Sequence, residues 1–253
     1  LFKFENNKWY SLENDIADSS LYPSQKKWII AFDGRNIGSF SSNMAPLKYK
    51  AVPWTFPRDA YHIPNKVDLP TIGSPSIEFS GWVGYAQPRP LVTVTDTNYS
   101  DPEQWKPFKP NRNEITELAS LYEKHFKNME FGWVDTVIHS KLEFGKSYIS
   151  SESNKLLQFG ILDSVNGKEY LSNRIWIYKS NSGEIIDLSK AIDFPFKGHG
   201  DSEISNLYLV DAGDYDNDGY SEVVFWIDRY NGNGYALFYN NFSSHVSFEW
   251  NYH

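Results

Sequence analysis

The chain has 253 residues, with 24 Lys+Arg against 32 Asp+Glu and a formal net charge of -8. Hydrophobic residues make up 40% and charged residues 22%, which is enough apolar material for a core and close to the globular norm of about 25% charge. Wholesale disorder is therefore excluded, as is nucleic-acid binding through bulk electrostatics, which needs a basic face. No run reaches the ~18 apolar residues of a membrane helix, so no membrane span is expected.

There is no cysteine, which excludes disulfides, thiolate metal sites and cysteine nucleophiles. Phe2, Lys3 and Phe4 alternate too early for a signal peptide at Leu1. A cysteine-free chain suits an exported bacterial protein, and a secreted or periplasmic location is expected. The 9 Trp, 17 Tyr and 17 Phe favour strands and fill a β-rich core. Aromatic side chains left at the surface could stack on sugar rings, which keeps a carbohydrate-binding role open.

Most of the chain reads as strands and tight turns. Trp28 to Phe32 and Asn36 to Phe40 flank Asp33-Gly34, a hairpin signal because that turn needs positive φ. From Ala45 to Pro110 prolines interrupt the pattern, and since proline cannot donate to a ladder, Leu91 to Thr95 is the one strand expected there. Asp101 to Pro110 reads as a surface connection. A domain boundary could fall at that point, dividing an N-terminal β-rich region (1–110) from a helix and β meanders (111–253), unless the two form one continuous domain.

A single helix is expected from about Arg112 to Met129. Ile115, Leu118, Ala119, Tyr122, Phe126 and Met129 recur at helical spacing, and Asn111 with Glu114 has the spacing of a capping box. Beyond it, Leu156 to Leu162 precedes Asn166-Gly167 and Tyr170-Leu171, and Arg174 to Tyr178 leads through Asn181-Ser182-Gly183 to Ile185 to Leu188. Val223 to Ile227 and Tyr235 to Tyr239 are separated by a glycine-rich stretch, 228–234, expected as a long hairpin loop. In the last run Val246, Phe248, Trp250 and Tyr252 share one face and Ser247, Glu249 and Asn251 the other, the pattern of a half-buried strand. Strands near 207–210, 222–227, 235–239 and 246–252 would make a four-stranded meander, the size of one propeller blade. The expected fold is all-β, propeller-like or built of packed antiparallel meanders, with that one mid-chain helix.

Chemistry concentrates in Asp211 to Glu222. Asp214, Asp216 and Asp218 alternate, Gly219 supplies a sharp turn, and Glu222 stands ninth from Asp214. Alternation aims three carboxylates at one centre, to which the Tyr220 carbonyl and Glu222 can add oxygens. Hard oxygen ligands in this number suit Ca²⁺, which takes 6–8 of them, better than Mg²⁺, which keeps several waters. Four acids within nine residues repel one another unless a cation lies between them or some take up protons. A solvated Asp/Asn/Gly turn is the plainer alternative. An EF-hand is excluded, because position twelve is Phe225 and the flanks read as strands.

The segment Asn206 to Trp226 instead resembles the calcium loop of FG-GAP/VCBS-type repeats, in which D-x-D-x-D-G-x-x-D/E joins two strands of an integrin-like propeller blade. The resemblance implies a Ca²⁺ site formed by Asp214, Asp216, Asp218, the Tyr220 carbonyl and Glu222. It also matches Val223-Val224 to the apolar strand that follows such a loop.

Other signals are weaker. The six histidines form neither HxH nor HExxH, and there is no nucleophile elbow, P-loop or dinucleotide fingerprint. Glu78, Asp96, Glu143, Glu152 and Asp193 are candidate members of a glycosidase pair, and Trp54, Trp82, Tyr85, Trp105 and Trp133 could line a sugar groove. The expectation is an exported, calcium-binding, non-enzymatic binding or structural module with an unknown protein or glycan partner. A carbohydrate-binding protein or glycoside-active enzyme is the alternative.

Overall fold

The computed structural model describes residues 1–12, 26–42, 47–51, 58–62, 89–95, 98–126, 142–165, 167–192, 206–229 and 232–251. The fold is all-β, with antiparallel sheets and one long helix. It opens with a hairpin of β1 (Phe2–Glu5) and β2 (Lys8–Ser11). Asn6 and Asn7 turn this hairpin at φ 53° and 57°, the left-handed pair that a two-residue turn between twisted strands requires. The Asp33-Gly34 signal gives the expected hairpin: β3 (Lys26–Phe32) and β4 (Arg35–Ser42) meet through φ 50° and 66° at those two residues.

The proline-rich stretch holds more ladder than its composition suggests. Besides β7 (Val92–Val94), which pairs with β3, β5 (Leu47–Ala51) pairs with β6 (Arg58–His62). Both of those strands lie between the prolines. In β8 (Lys106–Pro107), the proline sits in the edge strand of a sheet, where a missing donor does least harm.

The helix α1 runs from Asn113 to Phe126; the expected positions 127–129 lie outside the described residues. Its capping box is present: Glu114 Oε2 accepts the Asn111 N–H at 3.2 Å, and Asn111 Oδ1 accepts the Asn113 N–H at 3.1 Å. Ile115, Leu118, Ala119 and Tyr122 bury the apolar stripe against Leu142, Leu157, Phe159, Ile175 and Ile177. Those residues belong to β9 (Leu142–Ile149), β10 (Lys155–Val165) and β11 (Lys168–Lys179). With β12 (Ile185–Asp187) and β8 these strands form a five-stranded sheet. Leu188, expected as strand, instead begins the short helix α2 (Leu188–Ile192).

The C-terminal meander is a four-stranded sheet of β13 (Asn206–Gly213), β14 (Glu222–Arg229), β15 (Gly232–Tyr239) and β16 (Ser244–Asn251). The stretch expected as a long loop is shorter, because the ladder continues to Arg229↔Gly232. Gly234 is a strand residue there: a Cβ at that position would stand 2.7 Å from the Phe248 carbonyl oxygen, so the glycine admits the neighbouring backbone.

The sheets stack face to face, and alternation along β14 shows why. Val223, Phe225 and Ile227 point to one core, shared with Leu156, Trp176 and Tyr178 of the five-stranded sheet. Val224 points to another, shared with Trp9, Ile29, Ala31 and Val94. Both faces of β14 are therefore covered, and its centre, Val223 to Ile227, reads as a continuous apolar run. Residues before and after position 110 meet in that second core. Phe225 is fully buried and meets Trp176 and Phe238 edge-on, at 5.3 and 5.8 Å between ring centroids. Replacing Phe225 by Ala is expected to cost about 3–5 kcal/mol, the range for truncating a core aromatic residue. Urea unfolding of the full chain measures it, with the slope m unchanged.

Candidate metal centre

Where the β13–β14 ladder ends at Gly213↔Glu222, the chain must reverse through Asp-Tyr-Asp-Asn-Asp-Gly-Tyr-Ser. The short acidic side chains bond the loop's own backbone. Asp214 Oδ1 accepts the Asp218 N–H at 3.1 Å and Oδ2 the Gly219 N–H at 3.0 Å. Asp216 Oδ1 shares the Asp218 N–H at 3.2 Å, and Asp218 Oδ1 accepts the Tyr220 N–H at 2.8 Å. Two residues take positive φ, Asn217 at 64° and Gly219 at 91°. A Cβ at Gly219 would meet open space, so the backbone angle, and not crowding, asks for glycine.

These turns bring one oxygen from each of Asp214, Asp216 and Asp218 within 4.8 Å of one another. Oxygens that share an ion at about 2.4 Å can stand no further apart than twice that distance, so the spacing matches a common centre. Asp214 is buried, Asp216 half-buried and Asp218 exposed; the cluster thus grades from the core outward and leaves an ion a way in. Burial, and after it the charge of Asp218, raises the Asp216 pKa.

Glu222 closes the base of the loop. It is 2% exposed, and its Oε2 accepts the Tyr215 N–H at 2.8 Å. Burial pushes its pKa up to about 9; the Tyr215 bond opposes this, while the charges of Asp216, Asp218 and Asp214 add to it. Of the residues expected to bind metal, the fold gathers the three aspartates and holds Glu222 on the loop backbone, outside that group. Tyr220 has an exposed side chain at the outer end of the turn.

Sequence reasoning missed the residues that brace the loop from elsewhere. The Ser100 carbonyl accepts the Asp214 N–H at 2.8 Å. Glu103 Oε2 accepts the Ser221 N–H at 3.1 Å, and Asp101 Oδ1 accepts the Ser221 hydroxyl at 2.7 Å. The Trp9 indole N–H donates to Asp216 Oδ2 at 3.2 Å. A β-bulge between Leu209 and Asp211 turns Asp211 toward the same core as Val210. There the Tyr99 and Tyr215 hydroxyls donate to Asp211 Oδ2 at 2.7 and 3.1 Å, and the two rings stack at 5.3 Å. Burial raises the pKa of Asp211 despite both hydroxyl bonds, and raises that of Glu103 despite the Ser221 N–H. No local motif announces these contacts, which span 112 residues from Tyr99 to Asp211 and 207 from Trp9 to Asp216.

The candidates for sugar chemistry do not converge among the described residues. Glu143 is paired with Arg112 at 2.7 Å, and Glu152 is exposed on a turn. Trp105 packs edge-on against Phe242. Glu78, Asp96, Asp193, Trp54, Trp82, Tyr85 and Trp133 lie outside the described residues, as do Asn166 and Tyr252. No family model, curated protein or solved structure matches the chain.

The Glu222 shift fixes the sign of a pH effect. A carboxyl group whose pKa is higher folded than unfolded stabilises the fold below the unfolded value, and that contribution is lost as pH rises through the folded one. Metal-free protein is therefore expected to lose stability steadily between about pH 4.5 and 9. Glu222→Gln, which keeps an acceptor for Tyr215, should flatten the slope. Urea midpoints of both proteins across that range, taken with chelator present, check it; parallel profiles would refute it.

Proposed function

We propose that the chain is an exported calcium-binding module whose C-terminal meander is braced by one Ca²⁺ in the Asp214-to-Glu222 loop, and that its role is binding or structural, not catalytic. The observation that carries the reading is the convergence of the Asp214, Asp216 and Asp218 carboxylates within 4.8 Å. Like charges so close raise the energy of the folded loop unless a cation enters or a proton binds. The likeness of the loop to FG-GAP/VCBS repeats supports Ca²⁺, and so does its place between two antiparallel strands.

In this reading Asp214, Asp216 and Asp218 supply side-chain oxygens, with the Tyr220 carbonyl and Glu222 completing the shell once Glu222 gives up its proton. The remaining positions are left to water. Extracellular calcium modules bind with Kd on the order of 10⁻⁴–10⁻³ M, an affinity matched to a secreted or periplasmic setting. The acidic balance of the chain favours a protein or glycan partner over nucleic acid.

An ion that binds only the folded loop raises stability by mass action. Chelation with EDTA is expected to lower Tm, millimolar Ca²⁺ to restore it, and Mg²⁺ to restore it weakly. Asp216→Ala and Asp218→Ala should lower Tm in calcium and leave the chelated protein nearly unchanged, since there they remove repulsion along with ligands. Differential scanning calorimetry measures all of these, and a Tm indifferent to complete chelation would overturn the reading.

A further inference from the structure

The N-terminal hairpin has no ladder to the four-stranded sheet among the described residues, yet it is anchored at one point of the acidic loop. Trp9 lies on β2 with 8% of its surface exposed, and its ring meets Phe4 at 5.1 Å. The ring enters the core that holds Val224, Leu237 and Tyr239. Its one polar atom, the indole N–H, donates to Asp216 Oδ2. An indole N–H is a donor only, whereas a carboxylate has about four lone-pair positions. The bonds from Trp9 and from the Asp218 N–H occupy two of these and leave the others for a cation.

We propose that Trp9 is a positioning residue for the loop ion: its indole N–H fixes the Asp216 carboxylate, and through that bond cation binding and docking of the hairpin strengthen one another. This rests on the calcium reading above. Hydrogen bonds to metal-bound carboxylates orient them, and removing such a partner costs about 10–100-fold in affinity. Coupling is reciprocal, so whatever factor the docked hairpin adds to ion affinity, the ion returns to the docking of the hairpin. The segment 2–11, whose Trp9 lies 207 residues from Asp216 in sequence, then senses calcium.

The test compares wild type with Trp9→Phe, which keeps an aromatic ring in the core and deletes the donor. Calorimetric titration with Ca²⁺ alone is expected to show at least about 10-fold weaker binding in the variant. Because the variant could lose stability for packing reasons, hydrogen exchange on wild type provides a second measurement. Amides of residues 2–11 should gain protection on saturation with Ca²⁺. Affinity in Trp9→Phe within twofold of wild type, together with wild-type hairpin protection indifferent to calcium, overturns the proposal while leaving the calcium site intact. A lower metal-free Tm with unchanged affinity and protection has the same force, since it describes packing alone. Wild type that takes up no Ca²⁺ overturns the underlying reading as well, which separates the two failures.

Discussion

The repulsion among three carboxylates at the end of one β-hairpin organises what surrounds it. Asp214, Asp216 and Asp218 are held together by backbone N–H groups of their own loop. Each such bond is worth little net, about 0.5–1.5 kcal/mol, or somewhat more to a charged acceptor. Together they offset the proximity of like charges and pre-shape the turn. The protonated state of Glu222 is the other half of the same balance. Burial, and with it the charges of the three aspartates, raises its pKa to about 9, so a proton on its carboxyl relieves the same repulsion.

That local arrangement is useful only on a rigid base, and the stacked sheets provide one. The four-stranded sheet lies between two cores, one shared with the five-stranded sheet and one with β3, β7 and the N-terminal hairpin. A loop at the end of a strand pair buried on both faces inherits its position from the ladder. Around it, residues 99–103 form a brace in which a carbonyl, two carboxylates and a tyrosine hydroxyl all contact the loop or its approach. Gly34 belongs to the same contact, because a Cβ there would stand 2.3 Å from Asp101 Cβ. The tip of the β3–β4 hairpin is thus seated against the brace.

The turn between β15 and β16 shows a different compromise. Asn240, Asn241 and Phe242 all take positive φ, the last at 64°, which is unfavourable for a bulky side chain. Phe242 is nonetheless buried, stacked on Tyr178 at 4.2 Å between centroids. Backbone strain is accepted here because burial of the ring fills the core between the two large sheets.

Much of this was legible in the residues themselves. Periodicity placed α1 and the four C-terminal strands, Asp33-Gly34 and Asn111…Glu114 marked a turn and a cap, and the spacing of the aspartates marked the loop. All of these signals act between residues a few positions apart, where backbone geometry alone decides what can meet. The β5–β6 hairpin escaped notice because prolines on either side masked it, and Gly232 and Gly234 resembled loop residues because only the neighbouring strand explains them. Tertiary structure alone decided that Glu222 bonds the loop backbone, that a bulge turns Asp211 inward, and that Trp9 bonds Asp216 while Asp101 and Glu103 bond Ser221. The Trp9, Asp101 and Glu103 contacts join segments more than a hundred residues apart, and no local pattern encodes them, since their partners are chosen by how the sheets stack.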